Sequence, residues 1–528
     1  MDNNLWYKDA VFYEISVRAF KDSNNDGQGD LRGLGEQLDY LQQLGVNCIW
    51  LMPVYPSPLK DDGYDIADYY NVAQVYGTLD DLKAVIQAAH VRGIRVIMDL
   101  VMNHTSDEHP WFKAARADRH SPYHDYYVWS DTDQKYKDTR IIFVDTESSN
   151  WTWNEIAGQY YWHRFYASQP DLNFDNPKVR QEMIQIARFW LDLGIDGFRA
   201  DAVPYLFERE GTSCENLPET HEYLKELRRF IDEHYPGRIL LCEANQWPED
   251  VRPYFGDGDE FQMSFHFPIM PRIYMALKKG QITDLLEMID RTPAIPENCQ
   301  WCIFLRNHDE LTLEMVTPAE RDWMWEQYAP EPRMRLNQGI RRRLAPLLDN
   351  DRRKIELANS LLFTLPGSPI IYYGDEIGMG DNIWLDDRNG VRTPMQWDGT
   401  PQAGFTKTVP FAPFPDGKSS PKFINVAAQV ADPGSLFHAI RRMIAARKQY
   451  AVFGWGNLDW VDTGTNSIAA YSRIYKNETM LILNNLSDQK QTVHLPYAEA
   501  ANIISHETTQ LESLTLQPFQ YLWLLIKK

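Results

Sequence analysis

Cysteine is scarce in this chain, with five in 528 residues. Cys48, Cys214, Cys242, Cys299 and Cys302 are odd in number and follow no framework spacing, which excludes a disulfide-stapled scaffold. Cys299 and Cys302 form a C-x-x-C, but no second pair lies near enough to complete a zinc site, so reduced thiols in apolar strands are expected. Long apolar runs are also missing, which excludes a membrane-spanning helix. The opening MDNNLWYKDA lacks the basic start and apolar stretch of a secretion signal, so the expected location is cytoplasmic. Basic residues are the minority, 53 against 74 acidic, giving a net charge of −21. That balance argues against a nucleic-acid or anionic-membrane partner. No phosphate loop, flavin or nicotinamide fingerprint is present, so no organic cofactor is expected.

Aromatic residues are plentiful, including 17 Trp and 28 Tyr. Their flat amphipathic rings fill cores and also suit the faces of sugars. The length exceeds one ordinary core and predicts two or three domains. Short apolar runs begin near Val11, Gly45, Arg95, Asp196, Arg238, Phe261, Cys302 and Ser368, with helical patterns between most of them. One such pattern sets Leu79, Leu82, Val85, Ile86 and Ala89 at three- and four-residue intervals; another runs from Pro177, a good first helical residue, to Leu193. Eight strand–helix alternations predict an α/β fold of the (β/α)8 TIM-barrel type. The rival, an open doubly wound sheet, would carry a Gly-rich turn after its first strand, and none is present.

Two stretches break the alternation. Residues 103–171, polar and aromatic, are too long for a βα loop and predict an inserted subdomain between barrel segments 1–102 and 172–450. A second insertion, about 311–350, is rich in Arg, Glu and Trp. Both leave from carboxyl ends of strands, where barrel enzymes place their sites. Residues 451–528 change to short runs with turn residues between them, as in an antiparallel β-domain.

The chemistry concentrates at strand ends: DLVMNH, GFRADA, LCEAN and RNHDE. Arg199 and Asp201 are two apart, so an extended strand points them to one side, and the arginine favours an ionised carboxylate. Glu243 follows Ile239–Cys242, an apolar approach that raises a carboxyl pKa toward general-acid work. Asp309, with His308 beside it, adds a third carboxylate. One nucleophilic carboxylate and one protonated acid form the retaining glycosidase arrangement. In DSNNDGQGD, Asp22, Asn24, Asp26 and Asp30 alternate around glycines as calcium ligands do, with the Gln28 carbonyl joining them. The rival reading of that loop is a polar turn.

DLVMNHTS, GFRADAVPYL, LLCEAN and LRNHDE resemble, in order, the four short regions of the α-amylase superfamily, glycoside hydrolase family thirteen. QPDLNFDNP resembles the fifth region in its oligo-1,6-glucosidase form. The resemblance implies that Asp201 is the nucleophile, Glu243 the acid/base and Asp309 the transition-state stabiliser. It implies Tyr64 as the platform under the reacting sugar, Asp65 and Arg392 gripping its far hydroxyls, and His104 and His308 as donors. Gln169 and Arg199 complete the substrate-binding set. The loops AVPYLFEREGTSCENLPETHEYLK and GDEIGMGDNIWLDDRNGVRTPMQW resemble the trehalose synthase family within that superfamily. That likeness implies a second calcium site from Asn103, Asp171, Glu208 and the carbonyls of Tyr205 and Leu206. It implies interconversion of maltose and trehalose by double displacement, with minor hydrolysis to glucose. The alternative is an α-glucosidase or oligo-1,6-glucosidase with the same catalytic residues and a wetter site. Aromatics around Trp323–Tyr328 are expected to close over the site as a lid. The expected partners are small sugars; a homodimer fits the family likeness, and the residues do not decide it.

Overall fold

The eight apolar runs become eight parallel strands: β1 Phe12–Ile15, β2 Cys48–Leu51, β3 Arg95–Val101, β4 Gly197–Asp201, β5 Ile239–Cys242, β6 Met263–Phe265, β7 Gln300–Phe304 and β8 Ser368–Tyr372. The computed structural model describes residues 3–526; Met1 and Asp2 of the opening segment, and Lys527 and Lys528 at the end of the carboxyl-terminal domain, lie outside them. The strands close into one barrel in the order β1-β8-β7-β6-β5-β4-β3-β2. Strands covered on both faces read as continuous apolar runs, and every residue of β1, β2 and β5 is buried.

Register carries the site. Asp99 on β3 pairs with Arg199 on β4, and Arg199 with Leu241 on β5. Two residues further on, Asp201 and Glu243 therefore come level on adjacent strands. Gly197 makes that pairing close: at φ +151°, a Cβ there would lie 2.2 Å from the Ile239 carbonyl oxygen.

The helices follow their terminal signals. α1, Leu79–Val91, starts at a Thr78/Asp81 capping box and buries Leu82, Val85, Ile86 and Ala89. α2, Pro177–Leu193, is capped by Asn176, opened by Pro177 and ended by Gly194 in the left-handed conformation. α3, Ile269–Lys279, follows β6. α4, Pro318–Tyr328, starts at a Thr317/Glu320 capping box inside the second insertion. α5, Arg352–Thr364, leads into β8.

Between β3 and α2 lies a three-stranded antiparallel sheet (Trp129–Ser130, Trp151–Asn154, Gln159–Trp162) preceded by a helix at Pro110–Ala117. The second insertion contributes a small sheet of Leu311–Thr312, Arg335–Leu336 and Gly339–Ile340. The expected aromatic lid is corrected here. Met324 and Tyr328, four apart on α4, are buried, and the Tyr328 hydroxyl donates to the Tyr274 carbonyl of α3 at 2.7 Å. The Trp325 indole donates to the Gly339 carbonyl at 3.3 Å. The helix thus faces the barrel flank rather than the mouth of the site.

The last part of the chain folds into a six-stranded antiparallel sheet with a two-stranded companion. Alternation gives the larger sheet two apolar faces. Ile468, Ala470, Leu481, Leu483, Leu522 and Leu524 pack among themselves, whereas Ala469, Tyr471, Met480, Ile482 and Trp523 join the barrel core.

Candidate active site

Three strand ends meet on Arg199. Its guanidinium, 1% exposed, donates from Nη1 to Asp99 at 2.6 Å and to Asp201 at 2.5 Å. Its Nη2 donates to Glu243 Oε1. One guanidinium bridging both carboxylates fits the short separation that retaining chemistry uses. The other Glu243 oxygen accepts from the Ala202 amide at 3.1 Å. Ala202 adopts φ +52°, ψ 36°, a conformation unusual for a residue with a Cβ. That strain turns its N–H from the strand direction onto Glu243.

The electrostatics separate the three carboxylates. Burial lifts Asp201 to about 6 against the pull of Arg199, with Asp99 and Asp309 adding to the rise. Burial lifts Glu243 to about 7, again opposed by Arg199 and aided by Asp201 and Asp309. Burial also acts on Asp309, but His308, Arg388 and Arg392 outweigh it and hold that carboxyl well below the usual range. Near neutral pH, Asp201 and Asp309 are therefore largely ionised while Glu243 retains much of its proton.

A cavity opens above these groups. Its wall includes Tyr64 after β2, His104 after β3, Ala202 and Tyr205 after β4, Asn245 after β5 and Phe267 after β6. Asn307–Glu310 follow β7 and Arg388 follows β8, while Ile142, Phe143 and Phe165 come from the inserted sheet region. Residues after seven of the eight strands and from both insertions thus line one cavity. Tyr64 lies parallel to His308, with ring centres 5.2 Å apart and planes 13° from parallel. Burial holds His104 neutral, at about 3, against a hydrogen bond with the Tyr64 backbone that favours the charged ring. Its ring stands in the cavity wall as a neutral hydrogen-bonding group.

Several expected binding residues stand elsewhere. Asp65 accepts from Ser57 Oγ and the Lys60 and Asp61 amides at 2.7–3.1 Å, so it shapes its own loop. Asp61 faces the cavity instead. Arg392 pairs with Asp62 and Asp309, both at 3.2 Å, from outside the wall. Arg388 is the arginine in the wall, bridging Asp309 at 2.8 Å and Asp61 at 2.6 Å. Gln169 donates to Asp61 at 2.9 Å and so acts behind it. Arg199 lies beneath the carboxylates and does not line the cavity. His308 does line it, but both ring nitrogens face carboxylates, Glu14 and Asp309.

Sequence reasoning also missed Asn245, whose Nδ2 donates to Thr312 at 3.0 Å while its buried Oδ1 lacks a partner. Its signal was available: Asn245 is two residues beyond Glu243, hence on the same side of an extended chain. Arg140 was missed as well. It joins the first insertion to Glu314 of the second at 2.6 Å and to Glu215 at 2.9 Å. Asp145 accepts from the Asn337 amide at 2.7 Å across the same junction.

The two expected calcium sets differ. Asp22 accepts from the Asn25 and Gly27 amides and Thr406 Oγ1, Asn24 from the Asp26 amide, and Asp26 from the Gln28 amide. Asp30 accepts from Ser23 and Gly33. In the second set, Asn103 Oδ1, Asp171 Oδ2 and Glu208 Oε1 are all buried without a partner. Burial pushes Asp171 up to about 8 and Glu208 well above the carboxylate range, where Asp171 adds to the rise. Hard oxygens left unsatisfied in a dry site suit a hard divalent cation, which would reverse both shifts. Among the described residues no three His, Cys, Asp or Glu side chains group as a metal site, so either ion would depend on amide and carbonyl oxygens as well.

A barrel with paired carboxylates at the ends of β4 and β5 and a third after β7 defines a carbohydrate-active enzyme. Residues 14–328 and 335–456 match the family described as "Alpha amylase, catalytic domain", and 459–523 match "Maltogenic Amylase, C-terminal domain". The chain belongs to the α-amylase family. A trehalose synthase of Pimelobacter sp. (strain R48) is 56% identical, covering 93% of this chain and 88% of its own length. The trehalose synthase of Thermus thermophilus is 53% identical over 98% of this chain and 53% of its own length. An oligo-1,6-glucosidase of Parageobacillus thermoglucosidasius is 32% identical over 98% of both chains. Among solved structures, the trehalulose synthase MutB of Pseudomonas mesoacidophila MX-45 superposes with a TM-score of 0.82 at 30% identity, covering 99% of each chain. Within the family, this chain groups with the trehalose synthases.

Proposed function

We propose that this chain interconverts maltose and trehalose by intramolecular glucosyl transfer. The observation that carries the reading is the cavity over Asp201 and Glu243, lined in part by both insertions, which Arg140 and Glu314 tie together. Glu243 gives its proton to the bridge oxygen of maltose while Asp201 attacks the anomeric carbon. The bond from that carbon to the bridge oxygen breaks, and a bond to the Asp201 carboxylate forms. The freed glucose stays, turns, and presents its own anomeric hydroxyl. Glu243 accepts the proton of that hydroxyl as its oxygen displaces Asp201. Two inversions leave an α,α-1,1 linkage.

Water competes for the glucosyl-enzyme throughout, so the cavity must hold glucose in and water out. Phe143, Phe165 and Phe267 supply dry walls. Tyr64 serves as the sugar platform. Asp61, His104, Arg388 and Asn245 supply polar contacts. Asp309 would bind hydroxyls of the distorted ring, its charge held by Arg388 and His308. Asp201→Ala is expected to abolish both isomerisation and glucose release in a product assay by proton NMR. Retained trehalose formation in that variant would refute the assignment.

For calcium, the unsatisfied oxygens of Asn103, Asp171 and Glu208 support an ion held with the carbonyls of Tyr205 and Leu206. It would tie the root of the first insertion to the loop after β4. The Asp22–Asp30 loop offers similar oxygens, and an ion there would share them with the loop's own N–H groups. Chelation is expected to lower the melting temperature by several degrees, with restoration by Ca2+ and no restoration in Glu208→Gln. An unchanged melting curve after chelation would remove the proposal.

A further inference from the structure

Among the described residues, β1 is the barrel strand whose following loop adds nothing to the cavity wall. Its contribution lies one layer down. Glu14, within β1, is fully buried, and its ion-pair partner is His308. Glu14 Oε1 accepts from His308 Nδ1 at 2.5 Å and from the His308 amide at 3.3 Å. Glu14 Oε2 is buried without a partner. On the far side of the ring, His308 Nε2 lies 3.1 Å from Asp309 Oδ2. Tyr64 covers one face of the imidazole, and Trp50 meets it edge-on with ring centres 5.8 Å apart.

Both ring nitrogens therefore face carboxylate oxygens. A neutral imidazole has one N–H and one lone pair, so it would set a lone pair against one of those carboxylates. With both carboxylates ionised, the arrangement is satisfied only by the doubly protonated ring. The other charged groups around it act in both directions: Asp99 from β3 favours the cation, whereas Arg392, whose Nε holds the His308 carbonyl at 2.9 Å, opposes it. Burial alone would lower the His308 pKa, but Asp309 and Glu14 together raise it to about 9. An ionised carboxylate inside a barrel is itself expensive unless a cation meets it. The Glu14 carboxyl thus backs the protonated ring on the side away from Asp309.

We propose that Glu14 is a positioning residue for glucosyl transfer, fixing His308 as a doubly protonated ring that keeps Asp309 ionised and aimed into the cavity. The proposal rests on the glycosyl-transfer reading of that cavity. Glu14 touches no substrate; it acts through His308, and a glutamine of the same shape would not replace it. Without the Glu14 charge, His308 can lose a proton near neutral pH, and Nδ1 can accept from the glutamine amide. Asp309 would then lose a charge-assisted partner that holds its rotamer.

The test uses the full chain with 15N-labelled histidine, the His308 ring signals being identified by their loss in His308→Asn. The parent ring is expected to be doubly protonated near neutral pH. In Glu14→Gln it is expected to be singly protonated there, with kcat on maltose lowered on the order of tenfold or more and KM changed by less than about threefold. Glu14→Asp, which keeps the charge, is expected to restore part of the loss. A singly protonated parent ring would overturn the proposal, and that result needs no variant to fold. So would a Glu14→Gln enzyme with unchanged ring protonation and unchanged kcat. Should the parent release glucose and form no trehalose, the functional reading fails alone, because the same variants scored on glucose release still decide the role of Glu14.

Discussion

Arg199 meets Asp99, Asp201 and Glu243 at one guanidinium, and the division of labour proposed for the last two depends on it. Because Asp201 lies at about 6 and Glu243 at about 7, kcat/KM should follow a narrow bell. On the acid side, Asp201 takes up a proton as pH falls below about 6 and ceases to be a nucleophile. On the alkaline side, Glu243 gives up its proton as pH rises above about 7 and ceases to be an acid. A rate profile flat from pH 5 to pH 9 would contradict these roles. Arg199→Lys should cost on the order of a hundredfold in kcat, since one ammonium cannot fork to two carboxylates. Arg199, Asp201 and Glu243 were legible because alternation along a strand fixes which neighbours share a side. The polar residues of the cavity wall were less so. In DDGYD and in DRNGVR the same residue type recurs within four positions, and only the path of the loop puts Asp61 and Arg388 in the wall. Glu14 gave no signal, because a lone glutamate in an apolar run does not name its partner.

At the scale of elements, α2 matched its expected span, Pro177–Leu193, because its proline start and glycine stop are local signals. The second insertion was recognised as an insertion but its working part was misplaced. Aromatic and charged composition does not tell which helix face meets the barrel, and α4 turns Met324 and Tyr328 toward α3. The two insertions are instead joined by the Arg140–Glu314 pair and the Asp145–Asn337 bond. Arg140→Ala should therefore raise glucose release relative to trehalose several-fold, by letting water reach the glucosyl-enzyme. Trp325→Ala on α4 should leave that product ratio unchanged. The reverse pattern would return the lid to α4.

Across the whole molecule, the carboxyl-terminal sheet shares the barrel's core rather than standing apart. Trp523 is fully buried, and its indole donates to Ser360 Oγ of α5 at 2.8 Å. Arg473 donates to the Thr364 carbonyl at the end of the same helix and to Phe453 and Gly456. Trp523→Ala should cost about 3–5 kcal/mol and lower the melting temperature of barrel and sheet together in one calorimetric transition. A sheet that melted separately, leaving the barrel signal in place, would contradict the shared core. The eightfold alternation and the change of texture near residue 451 made this architecture legible. The packing partner of the sheet was not, since two apolar faces on one strand pattern do not say what either will meet.

The central claim is that the cavity retains the freed glucose long enough to rejoin it. The most direct measurement incubates the enzyme with unlabelled maltose in the presence of 13C-glucose and follows products by NMR. Trehalose formed as the main product without label from the added glucose is the predicted result. Trehalose carrying that label, or free glucose as the main product, would contradict it.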